Sequence, residues 1–126
     1  MVNALNINGV SYYGKANYSN NSFSSLVNMV YFNTHKLSLI SQKTINKDLN
    51  GQNLVRVIDL YRFYYKDSLL TALSDTVYFT VIGAHLKAGN SASDAAQRAN
   101  ATAALMNYIK INATDDNLIM GGDFNT

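Results

Sequence analysis

Alternation of apolar and polar positions is clearest in the middle of the chain. Over residues 76–86, Val77, Phe79 and Val81 point one way and Tyr78, Thr80 and Ile82 the other, which predicts a strand. Residues 54–65 form a longer run, also apolar on both faces. Strands of this kind are usually interior and covered on each side. Residues 26–32, β-branched and aromatic, predict a strand that ends in a turn at Asn33-Thr34-His35-Lys36. Residues 37–45 alternate and predict the next strand. Residues 46–53, with Gly51 inside, and 67–75 read as polar connections. Residues 3–25 have no clean period and read as loop with one short helical turn.

Beyond Leu86 the period changes. Ser91 followed three residues later by Asp94 predicts a capped helix start, with a carboxylate at the positive helix end. Ala92, Ala95, Ala99, Thr102, Met106 and Ile109 are the expected buried stripe, and Asp94 and Arg98 a surface pair four residues apart. Residues 112–117 end the helix, with Asp115-Asp116 as a turn. A last strand begins at Leu118 and runs into Gly121-Gly122-Asp123-Phe124-Asn125-Thr126. Strand, helix and strand at the end suggest a crossover unit, whereas the earlier strands are joined by short turns as in antiparallel pairs. The fold class is therefore α/β or α+β, a layered sandwich, with all 126 residues in one unit.

Composition agrees with a buried, sheet-rich chain: 48% hydrophobic and only 14% charged. A net charge of +2 is too small to imply nucleic-acid binding, so any basic footprint must be local. No apolar run is long enough for a membrane span, and Met1-Val2-Asn3 opens no signal peptide. Cysteine is absent, which excludes disulfides and thiolate metal sites. All eight acidic residues are aspartate, and the only histidines are His35 and His85. Acid–base or metal chemistry must come from this short set.

Two constellations stand out, each at the C-terminal end of a predicted buried strand. In Ala84-His85-Leu86-Lys87-Ala88-Gly89, the imidazole could bond an anionic substrate oxygen or move a proton near neutral pH. The competing reading is a histidine satisfied by a nearby backbone group. In Gly121-Gly122-Asp123-Phe124-Asn125, strand alternation would put Asp123 and Asn125 on one face and Phe124 in the core. A carboxylate beside an amide can orient a water and a phosphate oxygen. Its competitor is a plain Asx turn after a strand. His35, in a turn, reads as solvent-facing, as do Lys36, Lys43 and Lys47. The Tyr61, Phe63, Tyr64 and Tyr65 cluster reads as core and sheet surface.

Taken together, the order and spacing of these motifs resemble the endonuclease/exonuclease/phosphatase superfamily, the DNase-I-like fold. The segments that carry the likeness are Val81-Ile82-Gly83-Ala84-His85-Leu86-Lys87-Ala88-Gly89, Asp94 and Arg98, then Leu118-Ile119-Met120-Gly121-Gly122-Asp123-Phe124-Asn125. Residues 28–33 and Lys36-Leu37 add to it. The variant is similar to a bacterial, often extracytoplasmic branch with His-Leu-Lys-Ala-Gly at the strand end. The resemblance implies metal-assisted phosphoester hydrolysis on a two-sheet α/β sandwich with flanking helices. It implies Asp123 as the residue that positions or deprotonates water, and Asn125 as its partner on the phosphate. His85 would be the first of two histidines flanking the scissile phosphate, and Arg56 a phosphate-side arginine. For Arg56, pairing with Asp59 or plain solvation is an equal reading.

The departures are as informative. The family holds Mg²⁺ with a glutamate, which this sequence lacks, and has a downstream Asp-His segment supplying the second histidine. Residues 1–126 accordingly read as the central portion of such a domain. Mg²⁺ or Mn²⁺ is expected in the parent domain, with Asp123 as a possible ligand and no tight site in this chain. The expected substrate is a phosphoester, nucleic acid included. Expected protein partners are a second copy or another segment that supplies the missing strands. The alternative function is a non-catalytic interaction or structural domain on the same scaffold.

Overall fold

The computed structural model describes residues 1–21, 24, 26–73, 75–112 and 117–125. Asp115-Asp116 lie outside these. A short helix α1 (Val2–Leu5) is followed by strands β1 (Tyr13–Lys15), β2 (Tyr31–Asn33), β3 (Leu37–Lys47) and β4 (Asn53–Tyr65). Helix α2 (Ser68–Ala72), strand β5 (Tyr78–His85), helix α3 (Ala92–Ile111) and strand β6 (Asn117–Asp123) complete the chain. The main sheet has the order β3-β4-β5-β6, and β1 and β2 form a separate antiparallel pair. The first three strands of the main sheet are antiparallel neighbours. β6 returns through α3 to lie parallel to β5, so the expected crossover is present.

The double-sided apolar pattern of β4 arises from two cores. Ile58 and Leu60 face α3, together with Ile45, Ile82 and Ala84. They meet Ala101, Ala104 and Leu105 of the helix. Tyr61 and Phe63 face the other way, where the β1–β2 pair covers them, with the Phe32 and Phe63 rings 5.0 Å apart. On this second face Asp59 is fully buried. It accepts hydrogen bonds from the Ser19 hydroxyl and from Thr44 Oγ1 (2.6 Å), the requirement for keeping a carboxylate out of water. Burial, reinforced by Asp59, pushes the Tyr61 phenol well above its ordinary range.

Four local expectations are corrected. The buried face of α3 is Ala101, Ala104 and Leu105 with Tyr108 and Ile109. Ala92, Ala95, Ala99, Thr102 and Met106 of the expected stripe are exposed. Alanines recur so often along α3 that they leave its phase undefined, and the large side chains Leu105 and Tyr108 decide it. The segment expected as a strand over 26–32 is regular only at β2; Asn28 instead makes an isolated antiparallel bridge to Ser19 and donates from Nδ2 to Val57 O (2.9 Å). β1 falls within the region read as loop, being too short to show a period. α2 falls within an expected connection, capped by Asp67, whose side chain accepts from the Leu69 N–H. The capped start of α3 is as expected, with the full Ser91/Asp94 capping box.

Candidate functional site

Parallel register brings the two constellations together. Phe79 stands opposite Asn117, and the pairing continues in step until His85 stands opposite Asp123 at the shared C-terminal ends of β5 and β6. Side chains alternate faces along a strand, so partners in register share a face. His85 Nε2 and Asp123 Oδ2 lie 3.7 Å apart, longer than a direct hydrogen bond, with 34% and 65% of their side chains exposed. Both groups are accessible to a ligand.

Glycine shapes the ground around this pair. Gly83 and Gly121 are register partners on the same face, so no side chain rises between the strands there. They floor an open depression of about 400 Å³, walled by residues 27–30 and Tyr61, that runs up to His85 and Asp123. Gly122 has φ +145°, and a Cβ on it would run into the Ala84 backbone. Only glycine lets the end of β6 press this closely on β5.

The chain then turns rather than continuing as a strand. Asp123 Oδ1 accepts the Asn125 N–H (3.0 Å), an Asx-type turn, and Asn125 adopts φ +49°. The expected alternation of Asp123 and Asn125 along one extended face therefore does not hold: the aspartate's own carboxylate captures the backbone two residues on. Phe124 does pack against the α3-side core. The Asn125 side chain donates from Nδ2 to Leu86 O (3.0 Å). Arg56 donates from Nη1 to the same carbonyl (2.6 Å) and lines a narrow recess with Asn28 and His85. Its alternative pairing with Asp59 is not made, because Ser19 and Thr44 hold that carboxylate.

Residues 87–89 are fixed from α3. Arg98 Nη1 donates to Lys87 O and Gly89 O, both at 2.9 Å, and Lys87 Nζ pairs with Asp94 Oδ1 at 2.8 Å. The expected Asp94–Arg98 surface pair is thus replaced by two separate ties to the loop after His85. Bonds from Lys87 and Ser91 hold the Asp94 carboxyl down at about 2. Gly89 has φ +116°, and a Cβ there would overlap the Asp94 carboxylate. The Leu86 N–H closes the arrangement by donating to Asp123 O (2.8 Å). Sequence reasoning missed Asn28, Lys87 and Asp94 as neighbours of the site. Asn28 had a signal, a lone amide inside an apolar run. His35 is exposed and lies 4.9 Å from the Tyr12 ring, remote in role from His85.

A divalent cation would find little here. The sequence holds no glutamate, and among the described residues Asp123 is the one carboxylate at these strand ends and no cluster of three or more ligating side chains exists. Mg²⁺ binds through carboxylates in near-octahedral oxygen geometry, and one carboxylate does not make such a site. The residues present do not by themselves fit Mg²⁺ or Mn²⁺.

No protein-family model and no curated protein matches this sequence. Among solved structures, the catalytic domain of human Nocturnin, determined with a bound sulfate anion, superposes with a TM-score of 0.69 at 18% identity. The match covers 90% of this chain and 43% of that one. The chain thus has the DNase-I-like α/β fold over nearly its whole length, and it spans less than half of the domain it matches.

Proposed function

We propose that this chain carries part of a phosphoester-hydrolysing site of the endonuclease/exonuclease/phosphatase type, in which His85 and Asp123 act on one phosphoryl group. The observation that carries the reading is their 3.7 Å approach at the ends of two parallel strands, beside a side-chain-free glycine floor. A sulfate on the matching catalytic domain supports an oxyanion-binding fold. Asp123 Oδ2 orients the attacking water and accepts its proton, while His85 bonds a phosphoryl oxygen as charge develops there. Asn125 and Arg56 act by holding the Leu86 carbonyl, which fixes the loop that follows His85. Arg56 and His85 line the same narrow recess, and a guanidinium there carries further N–H donors for a phosphate oxygen.

A bound Mg²⁺ or Mn²⁺ would neutralise phosphoryl charge. In this proposal its other ligands come from polypeptide outside the 126 residues, as does a second histidine. The same polypeptide, or a second copy, is proposed to cover β6, which is exposed along its whole length, with Leu118, Ile119 and Met120 at 46%, 55% and 46%. One observation favours the alternative of a non-catalytic interaction domain: among the described residues a single carboxylate stands at the site. The test is hydrolysis of supercoiled plasmid and bis(p-nitrophenyl) phosphate. The isolated chain should be inactive, and the polypeptide encoded by the whole reading frame should turn over both or one of them. No turnover by that longer polypeptide with either metal removes the enzyme reading.

A further inference from the structure

Two glycines of the main sheet have no internal reason to be glycine. Gly83 and Gly121 are register partners inside β5 and β6, and neither has a positive φ. A Cβ on Gly121 would meet nothing within 4 Å, and one on Gly83 would touch the Tyr61 ring at an ordinary 3.7 Å. Alanine fits at both places. Glycine inside a strand weakens it, and a recurrent reason for keeping one there is the close approach of a ligand or another backbone. His85 and Asp123 stand two residues further along the same two strands, on the same face.

Tyr61 supplies a second, independent observation. It is 1% exposed, and its hydroxyl has no hydrogen-bond partner among the described residues. A buried hydroxyl left unpaired is costly, so a partner for it is expected. The Tyr61 atom that a Cβ on Gly83 would meet is Cε2, the ring carbon next to the one that bears the hydroxyl. The polar end of the ring therefore lies over the glycine floor. Burial, reinforced by Asp59, pushes this phenol up, so it keeps its proton and can donate. Elsewhere the depression is lined by backbone and by apolar side chains such as Val27, Met29, Val30 and Val81, with His85 and Asp123 at its end. Its volume of about 400 Å³ lies in the range of small-molecule sites, where an apolar lining carries a few polar groups that orient the ligand.

We infer that the glycine floor is a subsite for a planar, uncharged heteroaromatic ring carried by the phosphoester. The ring lies flat on Gly83 and Gly121, one of its acceptor atoms takes the Tyr61 O–H, and the phosphoryl group it carries reaches His85 and Asp123. The placement of the phosphoryl group rests on the hydrolytic reading above; the ring site rests on the glycines and Tyr61. A flat ring meets bare peptide planes over its whole face, whereas a saturated ring touches them only at its edges. The apolar lining offers no partners for the several hydroxyls of a polyol head group.

The test is titration of the polypeptide encoded by the whole reading frame, followed by backbone amide shifts. The ligands are quinoline at a pH where it is uncharged, quinolin-6-yl phosphate, and cyclohexanol as the saturated comparison. Quinoline should bind saturably with shifts gathered at Gly83 and Gly121, and at least about fivefold tighter than cyclohexanol. Quinolin-6-yl phosphate should shift His85 and Asp123 as well. Gly121→Val, whose side chain enters open space, should abolish quinoline binding while the unfolding midpoint is kept. Tyr61→Phe keeps the ring and removes only the unpaired hydroxyl, so it is the second variant; it should weaken quinoline about fivefold, the scale of one lost hydrogen bond. Cyclohexanol binding as tightly as quinoline, quinoline binding unchanged in both variants, or shifts from the phosphate ester that leave out His85 and Asp123 would each overturn the inference. So would the absence of saturable binding, the result if outer segments of the polypeptide fill the floor. Quinoline carries no phosphoryl group, so its failure to bind removes the ring subsite and leaves the hydrolytic reading standing. Loss of that reading through His85 variants would in turn leave quinoline binding unchanged.

Discussion

Gly122→Ala is the most informative single change, because its neighbour supplies an internal control. At Gly122 the backbone has φ +145°, a region that L side chains rarely adopt, at a cost of about 1–3 kcal/mol. A Cβ would also lie 2.8 Å from the Ala84 carbonyl carbon and 3.1 Å from its nitrogen, and would run into the carbonyl oxygen itself. Those atoms are backbone at the middle of the sheet and cannot swing away, so the end of β6 must lift from β5. Losing one or two ladder bonds adds roughly 1–2 kcal/mol. The sum, about 2–5 kcal/mol, is a large part of the stability of any small domain. At Gly121 a Cβ meets nothing within 4 Å, and Ala there should change stability by less than about 1 kcal/mol. Urea unfolding of both variants, followed by circular dichroism, reads the difference. If Gly122→Ala unfolds within about 0.5 kcal/mol of Gly121→Ala, the close approach of the two strand ends is wrong, and with it the reason that Asp123 reaches His85.

Three further outcomes are expected. Arg98→Ala removes the donor to Lys87 O and Gly89 O, costing about 1–2 kcal/mol locally; hydrogen exchange of the Leu86 amide should accelerate about tenfold while amides of β3 stay unchanged. The Asp94 carboxyl is depressed from 3.8 to about 2 by its bonds from Lys87 and Ser91, so its contribution to stability is present above pH 4 and lost as pH falls towards 2. Acid titration of wild type minus Asp94→Asn, by circular dichroism, should isolate a difference confined to that window; a difference centred near neutral pH would contradict it. Calorimetry with Mg²⁺ or Mn²⁺ on the 126-residue chain should find only weak binding that Asp123→Asn abolishes, whereas a tight stoichiometric site would mean that ligands have been overlooked.

What was legible in the sequence follows from how strongly each signal is local. β4 and β5 could be read because their apolar residues are large and fall on both faces, β3 because its first half alternates, and the start of α3 because Ser91 and Asp94 cap it within three residues. His85 and Asp123 could be singled out as strand-end residues, but their proximity depends on a parallel register that only the packed sheet fixes. The α3 stripe misled because alanine favours the helix without marking its buried side. Asn125 misled for another reason: a side-chain-to-backbone bond from Asp123 competes with extension, and a strand pattern carries no record of that competition. Arg56 and Arg98 reach carbonyls 30 and 11 residues away, and backbone acceptors have no sequence signature at all.

The central claim is that His85 and Asp123 work as one unit on a phosphoryl group. The direct test is a double-mutant cycle, His85→Ala, Asp123→Asn and both together, in the polypeptide encoded by the whole reading frame, read as kcat/KM on bis(p-nitrophenyl) phosphate. Residues that act as a unit are strongly non-additive. The account predicts that each single variant loses at least about a hundredfold and that the double variant loses little more than the worse single one. Independent, additive losses, or single variants that keep wild-type turnover, would contradict it.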